Sequence, residues 1–206
     1  VVLKPSEFAP ATAAVMAKIC KALFPENYVL YVEGEGAQVL PAMFSNFRFD
    51  HIFYTGSTTV GRIIYQQAAD KLVPVTLELG GKSPALVAAD ANMRVAARRI
   101  ANSKFSNAGQ MCVAPDYVLV PTAFKDILIE ELVKAIEQFY GVNTEASNGY
   151  GKIINEKQWH RLVSYFGDGK IVYGGKSNAA SLHIEPTLLT DVSIDSNVMK
   201  DEIFGP

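Results

Sequence analysis

HIFYTGSTTVGRIIYQQAADKLVPVTLEL, residues 51–79, shows the fold class of the chain most clearly. Residues 51–54 and 75–79 are rich in β-branched and aromatic side chains, which predicts two short strands. Between them, residues 58–72 carry apolar side chains at helical spacing, which predicts a helix. A strand, a helix and a second strand in this order predict an α/β fold with a parallel sheet.

The same alternation continues on both sides of this stretch. Before it, we expect strands at residues 1–3 and 28–32, a helix at 9–23, and a weaker helix at 36–45 that Pro41 interrupts. After it, we expect strands at residues 85–88 and 117–120 and near Ile171 and Leu188, helices at 93–104, 124–140 and 155–166, and a polar loop at 141–151. The chain is therefore predicted to be α/β throughout.

A cluster of turn-forming residues interrupts this pattern near the middle of the chain. Gly80, Gly81 and Pro84 follow the strand at residues 75–79, so we place a domain boundary there. Residues 1–79 are then part of one domain, and residues 80–206 are part of another. The chain starts at a valine inside an apolar run, and we expect no helix or strand around residues 201–206, so we expect an internal part of a longer protein.

Composition narrows the classes of function. The 206 residues are 49% hydrophobic and 19% charged, with a net charge of −2, which suits a sizeable core and gives no electrostatic reason to bind nucleic acid. Two cysteines are too few for a disulfide framework, the sequence leaves open whether they pair, and no cluster has the spacing of a zinc site. No apolar run reaches the roughly 18 residues of a membrane helix. We expect a cytoplasmic protein, with membrane association of a longer chain left open.

The segment FYTGSTTVG, residues 53–61, joins a strand to a helix through a glycine turn. Glycine allows close approach of a ligand, the helix start offers free N–H groups to a phosphate, and Ser57 adds a hydroxyl. The spacing is GxxxxG without the Lys-Ser/Thr of a P-loop, and the dinucleotide fingerprint GxGxxG is absent. A phosphate site and an ordinary strand-to-helix turn therefore both remain open.

Two further segments carry reactive side chains. In LELGGKSP, residues 77–84, Glu78 ends an apolar strand and is either a general base at a site edge or a solvated strand end. In GQMC, residues 109–112, Cys112 is either a nucleophile on a loop or a buried packing cysteine. No Lys, Arg or His lies within four residues of Cys112, so any group that activates it must come from tertiary neighbours or a bound cation. Cys20 has helical spacing in an apolar stretch and is predicted to pack.

The segment KPSE directly follows the first strand. At the end of a strand in an α/β sheet, Lys4 can reach a ribose or phosphate, and Glu7 can accept from ribose hydroxyls. The alternative is a solvated helix start with an acidic first turn. The composition of residues 201–206, DEIFGP, does not by itself mark a site.

In this order, the five segments resemble the aldehyde dehydrogenase superfamily: KPSE, FYTGSTTVG, LELGGKSP, GQMC and EIFGP. Residues 49–88 and 98–120 are similar to the class 3, fatty-aldehyde branch, and CVAPDY at 112–117 is typical of it. The resemblance covers essentially the whole chain. It implies part of a Rossmann-like, parallel-sheet cofactor domain in residues 1–79 and part of an α/β catalytic domain in residues 80–206.

The resemblance also implies roles for the reactive residues. Cys112 would attack the aldehyde carbon, hydride would pass to the nicotinamide of the cofactor, and Glu78, 34 positions before the thiol, would activate water to hydrolyse the thioester. The implied cofactor-binding residues are Lys4 and Glu7 at the adenosine ribose, Gly56, Ser57, Val60 and Gly61 at the pyrophosphate turn, Leu79 at the carboxamide, and Glu202 and Phe204 at the nicotinamide ribose and ring. Glu202 would also assist proton transfer.

The expected reaction is oxidation of medium- or long-chain or aromatic aldehydes, without a metal and by a homodimer. NAD is the expected cofactor, with NADP as the alternative, because Glu7 would repel a 2′-phosphate. The rival hypotheses are a CoA-acylating aldehyde dehydrogenase, a reductase that uses the same cofactor for acyl substrates, and a non-catalytic protein that keeps the fold. The family's oxyanion-hole asparagine lies upstream of KPSE, so we expect these 206 residues alone to be inactive.

Overall fold

The computed structural model describes residues 1–206, and the chain divides into two compact units, Val1–Leu79 and Gly80–Pro206. The first unit alternates strands and helices: β1 (Val2–Leu3), α1 (Pro10–Leu23), β2 (Leu30–Tyr31), α2 (Gly36–Asn46), β3 (Ile52–Gly56), α3 (Thr58–Ala69) and β4 (Val75–Leu79). β1 pairs with β2, and β3 pairs with β4, both in parallel. The strand–helix–strand order predicted for residues 51–79 is confirmed.

Helix spacing explains how the first unit packs. α3 buries Gly61, Ile64 and Ala68, which lie three and four positions apart and so share one face of the helix. Ile64 and Ala68 pack with Phe44 of α2 and with Val73 in one apolar cluster. Burial of such a face, rather than intrinsic propensity, supplies most of the stability of helices this short.

For helices α1 and α2, the sequence predicted the packing of Cys20 correctly and a break at Pro41 wrongly. Cys20 is buried on α1, as the packing assignment predicted. The expected interruption at Pro41 is wrong, because α2 continues through it. Proline removes a single backbone donor from the helix, and packing of Leu40 and Phe44 in the apolar cluster outweighs that loss.

The second unit mixes parallel and antiparallel pairs. Its elements are β5 (Pro84–Leu86), α4 (Met93–Phe105), β6 (Tyr117–Leu119), α5 (Lys125–Tyr140), α6 (Glu156–Ser164), β7 (Lys170–Tyr173), β8 (Ser177–Asn178), β9 (His183–Ile184), β10 (Leu188–Thr190) and α7 (Asn197–Lys200). β5 pairs with β6 in parallel around α4, whereas β7 pairs with β10 and β8 with β9 in antiparallel orientation. No helix in either unit is both long and apolar enough to cross a bilayer.

The core of the second unit lies between α4 and α5. The buried positions repeat every three or four residues: Ala97, Ala101 and Phe105 on α4, and Leu128, Leu132, Ala135 and Ile136 on α5. Both helices have defined ends. The Asn92 side chain accepts a hydrogen bond from the Val95 amide (3.1 Å) at the start of α4, and Gly141 ends α5 at a positive φ of 80°.

Short elements account for the differences from the sequence prediction. Three short elements, β8, β9 and α7, were not predicted. Residues 201–206 contain no helix or strand, as expected, but α7 ends directly before them. The predicted loop at 141–151 contains a 3₁₀ turn, Thr144–Ala146. The buried Thr144 hydroxyl in that turn lies 3.0 Å from Nε2 of His183 on β9. Elements of two to four residues depend on such distant partners and carry no periodicity of their own.

Candidate active site

A glycine and a serine shape the turn between β3 and α3. A Cβ on Gly56 would overlap the hydroxyl of Tyr54, so only glycine fits without movement there. Ser57 caps α3, and its Oγ accepts a hydrogen bond from the Val60 amide (3.3 Å). The other amides of the first helical turn have no intrahelical acceptor, and they carry the positive end of the helix dipole. This turn has the chemistry to bind a phosphate.

Gly61 serves packing in the first unit. It is buried on α3, and a Cβ on it would lie 2.7 Å from Cδ2 of Leu79 on β4. Leu79 in turn pairs with Gly56 across the two strands. Glycine at position 61 therefore lets the helix approach the strand ends closely. Its predicted place at a pyrophosphate remains a prediction.

Lys4 and Glu7 form an ion pair in the first unit. Lys4 Nζ donates to Glu7 Oε2 (3.0 Å) and to the carbonyl of Pro5 (2.9 Å). Glu7 Oε1 accepts from the amide of Gly36, the first residue of α2 (3.3 Å). Hydrogen bonds from the backbone of Glu7 itself and from Lys4 lower the pKa of the Glu7 carboxyl. This carboxylate is therefore ionised at neutral pH.

Glu78 lies near the C-terminal end of β4 with an exposed side chain. It pairs with Thr55 of β3, whose side chain is also exposed. Two positions earlier, Thr76 holds His51 through a hydroxyl–imidazole contact of 2.9 Å. Within the first unit the Glu78 carboxylate is thus open to water.

The thiol of the second unit lies on a strained loop. Cys112 is exposed, and it follows a kinked turn, Ser106–Gly109. Three successive residues of this loop have left-handed backbones: Asn107 (φ 52°), Ala108 (φ 52°) and Gly109 (φ 72°). Left-handed geometry is unfavourable for residues other than glycine, and it persists where surrounding contacts impose it.

Gln110, directly after the strained turn, supplies such contacts. Gln110 is buried, and its Nε2 donates to the carbonyls of Asn107 (3.0 Å) and Lys152 (2.9 Å). Its Oε1 accepts from the Ile154 amide (2.9 Å). The side-chain amide thus fixes the loop beside Cys112 to a chain segment more than 40 positions away. Gln110 belongs to the GQMC motif, but the sequence alone indicates no role for it.

Glu202 and Phe204 lie in one segment without helix or strand at the end of the second unit. Glu202 packs against the backbone of Gly80, where a Cβ would overlap its carboxylate. Its Oε1 is buried without a hydrogen-bond partner, and burial raises the pKa of the carboxyl, with Asp116 adding to the rise. Phe204 has a φ of 48° and a ring exposed to solvent.

Sequence reasoning missed Asp116, the aspartate of CVAPDY. Its side chain is 1% exposed, and it accepts hydrogen bonds from the amides of Ser83 (3.0 Å) and Ile203 (2.8 Å). The Lys82 ammonium lies 3.9 Å from it and donates to the carbonyl of Asp201 (2.9 Å). An acidic side chain directly after an uncharged thiol segment was the available signal.

Lys104 is a second missed residue. It lies on α4, its Nζ is buried without a hydrogen-bond partner, and burial lowers the pKa of the ammonium to about 8. The nearby charges of Asp116 and Glu202 oppose that shift, and Lys82 adds to it.

The predicted residues divide between the units. Eight lie in the first unit (Lys4, Glu7, Gly56, Ser57, Val60, Gly61, Glu78 and Leu79), and three lie in the second (Cys112, Glu202 and Phe204). The first unit brings Lys4 to Glu7, Ser57 to Val60, and Gly61 to Leu79. In the second unit, the segment of Glu202 and Phe204 contacts the thiol loop where Gly205 meets Gly109.

Comparison with known proteins identifies relatives of the whole chain. It is 48% identical to 4,4′-diaponeurosporen-aldehyde dehydrogenase of Staphylococcus aureus and 43% identical to the dimeric NADP-preferring aldehyde dehydrogenase of the dog, covering 100% of this chain and 45% of each relative. Among solved structures, the substrate-bound state of Staphylococcus aureus AldH matches with a TM-score of 0.92 at 46% identity, over 100% of this chain and 45% of that one. A Mycobacterium tuberculosis aldehyde dehydrogenase complexed with NAD⁺ matches with a TM-score of 0.87 at 32% identity, over 100% and 44%.

The chain therefore spans less than half the length of these relatives. The model of the aldehyde dehydrogenase family matches residues 1–206, which is every residue of the chain. Together with the parallel strand pairs and the exposed thiol on the loop that Gln110 holds, this match establishes that the chain belongs to the aldehyde dehydrogenase family.

Proposed function

We propose that the protein that carries this chain oxidises aldehydes to carboxylic acids with a nicotinamide cofactor and with Cys112 as the nucleophile. One observation carries the proposal: Cys112 is exposed on a loop with three left-handed residues that the buried Gln110 amide holds in place. A nucleophile in a fixed position loses little freedom when it meets its substrate, and this lowers the barrier to attack.

Two features support binding of a nicotinamide dinucleotide. The orphaned Oε1 of Glu202 would be satisfied by a hydroxyl donor such as that of a ribose. The capped turn at Ser57, with free amides in the first turn of α3, suits a pyrophosphate. Residues 1–79 would then be part of the cofactor domain and residues 80–206 part of the catalytic domain. The remaining proposed cofactor residues are Lys4, Glu7, Gly56, Val60, Gly61, Leu79 and Phe204.

The proposed attack on the aldehyde and the proposed hydrolysis each use a defined group of this chain. The Cys112 thiolate adds to the aldehyde carbon, and its backbone N–H donates to the oxygen of the thiohemiacetal that forms. The oxidised nicotinamide, when bound, supplies the hydride acceptor that turns this adduct into a thioester. Glu78 then takes a proton from water as the water attacks the thioester carbon, which releases the carboxylic acid and the Cys112 sulfur.

NAD is the proposed cofactor, with NADP as the alternative. The Glu7 carboxylate is ionised and would repel a 2′-phosphate, whereas the paired Lys4 weakens that repulsion. Among the relatives, the dog protein is named NADP-preferring and the Mycobacterium tuberculosis structure contains NAD⁺. Medium- and long-chain or aromatic aldehydes are the proposed substrates, and a homodimer is the proposed assembly. The Staphylococcus aureus relative is named for 4,4′-diaponeurosporen-aldehyde, and the dog relative is named dimeric.

Cysteine substitutions test this proposal. Reduced cofactor would be followed by absorbance, with aldehydes of increasing chain length, in the protein that carries this chain. Cys112→Ala should abolish the reaction, while Cys20→Ala, which removes the buried packing cysteine, should retain it. Aldehyde oxidation that survives Cys112→Ala would exclude this thiol as the nucleophile.

A second set of assays separates the rival functions. Glu78→Gln should form one equivalent of reduced cofactor rapidly and then turn over slowly, because hydrolysis of the thioester is impaired. Turnover that depends on coenzyme A and yields an acyl-CoA would identify a CoA-acylating enzyme instead. No turnover in the unmodified protein with any aldehyde would favour a non-catalytic protein that keeps the fold.

A further inference from the structure

Asp116 uses both oxygens of its carboxylate to hold two separate backbone segments. Oδ1 accepts from the amide of Ile203 (2.8 Å), and Oδ2 accepts from the amide of Ser83 (3.0 Å). The Asp116 amide also donates to the Ser83 carbonyl (2.8 Å), so these two residues are joined twice. The Asp116 side chain is only 1% exposed, so its carboxylate oxygens accept hydrogen bonds from the protein rather than from water.

The two segments are those that surround Glu202. Ile203 is the residue between Glu202 and Phe204, and Ser83 lies three positions after Gly80, against which the Glu202 carboxylate packs. Asp116 therefore holds two backbone segments near the Glu202 carboxylate: the segment that carries Glu202 and the segment that follows Gly80.

Charges around Asp116 support the arrangement. The Lys82 ammonium, 3.9 Å away, offsets the buried negative charge and donates to the carbonyl of Asp201 (2.9 Å). Arg161 Nη2 donates to the carbonyl of Ile203 (2.6 Å), so the backbone N–H and carbonyl of that residue are both held by ionised side chains. Hydrogen bonds to charged groups are shorter and stronger than those between neutral groups.

We propose that Asp116 is a positioning residue that holds Glu202 and Phe204 in place to bind the nicotinamide half of the cofactor. The inference rests on the proposed function. A carboxylate suits the role because it offers two acceptors to two N–H donors. Asparagine offers only one, and its NH₂ group would then face a backbone N–H. The thiol has its own anchor in Gln110, so loss of Asp116 should impair cofactor binding more than the reactivity of Cys112.

The experiment compares Asp116→Asn with Asn92→Ala in the protein that carries this chain. Asn92→Ala removes the cap of α4 in the same unit and should lower the thermal stability without changing a contact of the Glu202 segment. It therefore shows how much of any change in KM follows from lost stability alone. The readouts are the KM for the cofactor, kcat, the melting temperature, and the rate at which iodoacetamide alkylates Cys112 without cofactor, followed by peptide mass.

Asp116→Asn should raise the KM for NAD⁺ about tenfold, the change expected when one hydrogen bond to a charged group is lost. Alkylation of Cys112 in Asp116→Asn should stay within about twofold of the rate in the unmodified protein. Asn92→Ala should keep the KM for NAD⁺ within about twofold of the unmodified value. If Asp116→Asn does not fold, Asp116→Glu keeps the charge but displaces the Ile203 amide by about one methylene, and it should raise the same KM.

Two outcomes would overturn the inference. One is an unchanged KM in the folded Asp116 variant, and the other is a KM that rises equally in Asn92→Ala at matched thermal stability. Either result, in an unmodified protein that oxidises aldehydes through Cys112, leaves the proposed function intact. An unmodified protein that oxidises no aldehyde would reject the proposed function and this inference with it.

Discussion

Gly109 lies against the carbonyl oxygen of Gly205, so closely that a Cβ on Gly109 would overlap that oxygen. Gly109 also has a φ of 72°, a conformation that L side chains rarely adopt. The contact joins the thiol loop to the segment that carries Phe204 within the second unit. Glycine at position 109 is therefore required both by its backbone conformation and by the lack of space.

Gly109→Ala should be among the most destabilising single changes in the second unit. A left-handed alanine costs about 1–2 kcal/mol, and overlap with a backbone atom adds about 1–3 kcal/mol. Gly167→Ala is the control for the added methyl group, since Gly167 has no positive φ and no atom within 4 Å of its Cβ position. Urea unfolding measures both variants, and equal losses of free energy would contradict the requirement for glycine at position 109.

Gln110→Ala should loosen the loop that carries Cys112. The change leaves the carbonyls of Asn107 and Lys152 and the amide of Ile154 without their partner, which costs about 2–5 kcal/mol of unfolding free energy. Gln38→Ala removes an exposed glutamine and should change that energy by less than about 0.5 kcal/mol. Denaturant unfolding and kcat are the measurements. A Gln110 variant as stable and as active as the control would contradict the anchoring role.

Lys104 should make the stability of the protein depend on pH in the alkaline range. Burial lowers the pKa of its ammonium from 10.5 to about 8, so between about pH 8 and 10.5 the unfolded chain binds more protons at this residue than the folded chain. The unfolding free energy should therefore rise as pH increases from about 8 to 10.5, by at most roughly 3 kcal/mol.

Lys104→Met should remove that dependence and stabilise the protein at pH 7, because it replaces a buried charge that has no partner. Lys134→Met is the control, since Lys134 is exposed and its pKa is raised by Glu131. The unfolding free energy would be measured at several pH values between 7 and 10. A slope in Lys104→Met equal to that of the unmodified protein would contradict the role given to Lys104.

Glu7→Gln should shift cofactor use toward NADP. The Glu7 carboxylate has a lowered pKa and stays ionised at neutral pH, so its removal takes away a repulsive charge and frees Lys4 to meet a 2′-phosphate. The ratio of kcat/KM for NADP to that for NAD should rise roughly tenfold at low salt and by less at high salt. Glu26→Gln, an exposed glutamate of the same unit, should leave this ratio unchanged. If the ratio of kcat/KM for NADP to that for NAD is the same in both variants, a charge other than Glu7 discriminates between the two cofactors.

Local patterns predicted the main elements well. The strands and helix of residues 51–79, the packing of Cys20 and the long helices of the second unit follow from apolar periodicity, which needs only neighbouring residues. The break at Pro41 was predicted wrongly because packing of Phe44 in the core outweighs the loss of one helix bond. The pair β8 and β9 was missed because two-residue strands contain no pattern to recognise.

For the candidate site, local sequence patterns predict a nucleophilic thiol at 112, a carboxylate base at 78, and a glycine turn before a helix. The contacts that hold the thiol loop and the Glu202 segment in place appear only in the three-dimensional structure of the second unit. Gln110 reaches a partner 42 positions away, and Asp116 joins amides 33 and 87 positions away. Hydrogen bonds of this kind satisfy buried polar groups through the fold as a whole, so no local spacing in the chain predicts them.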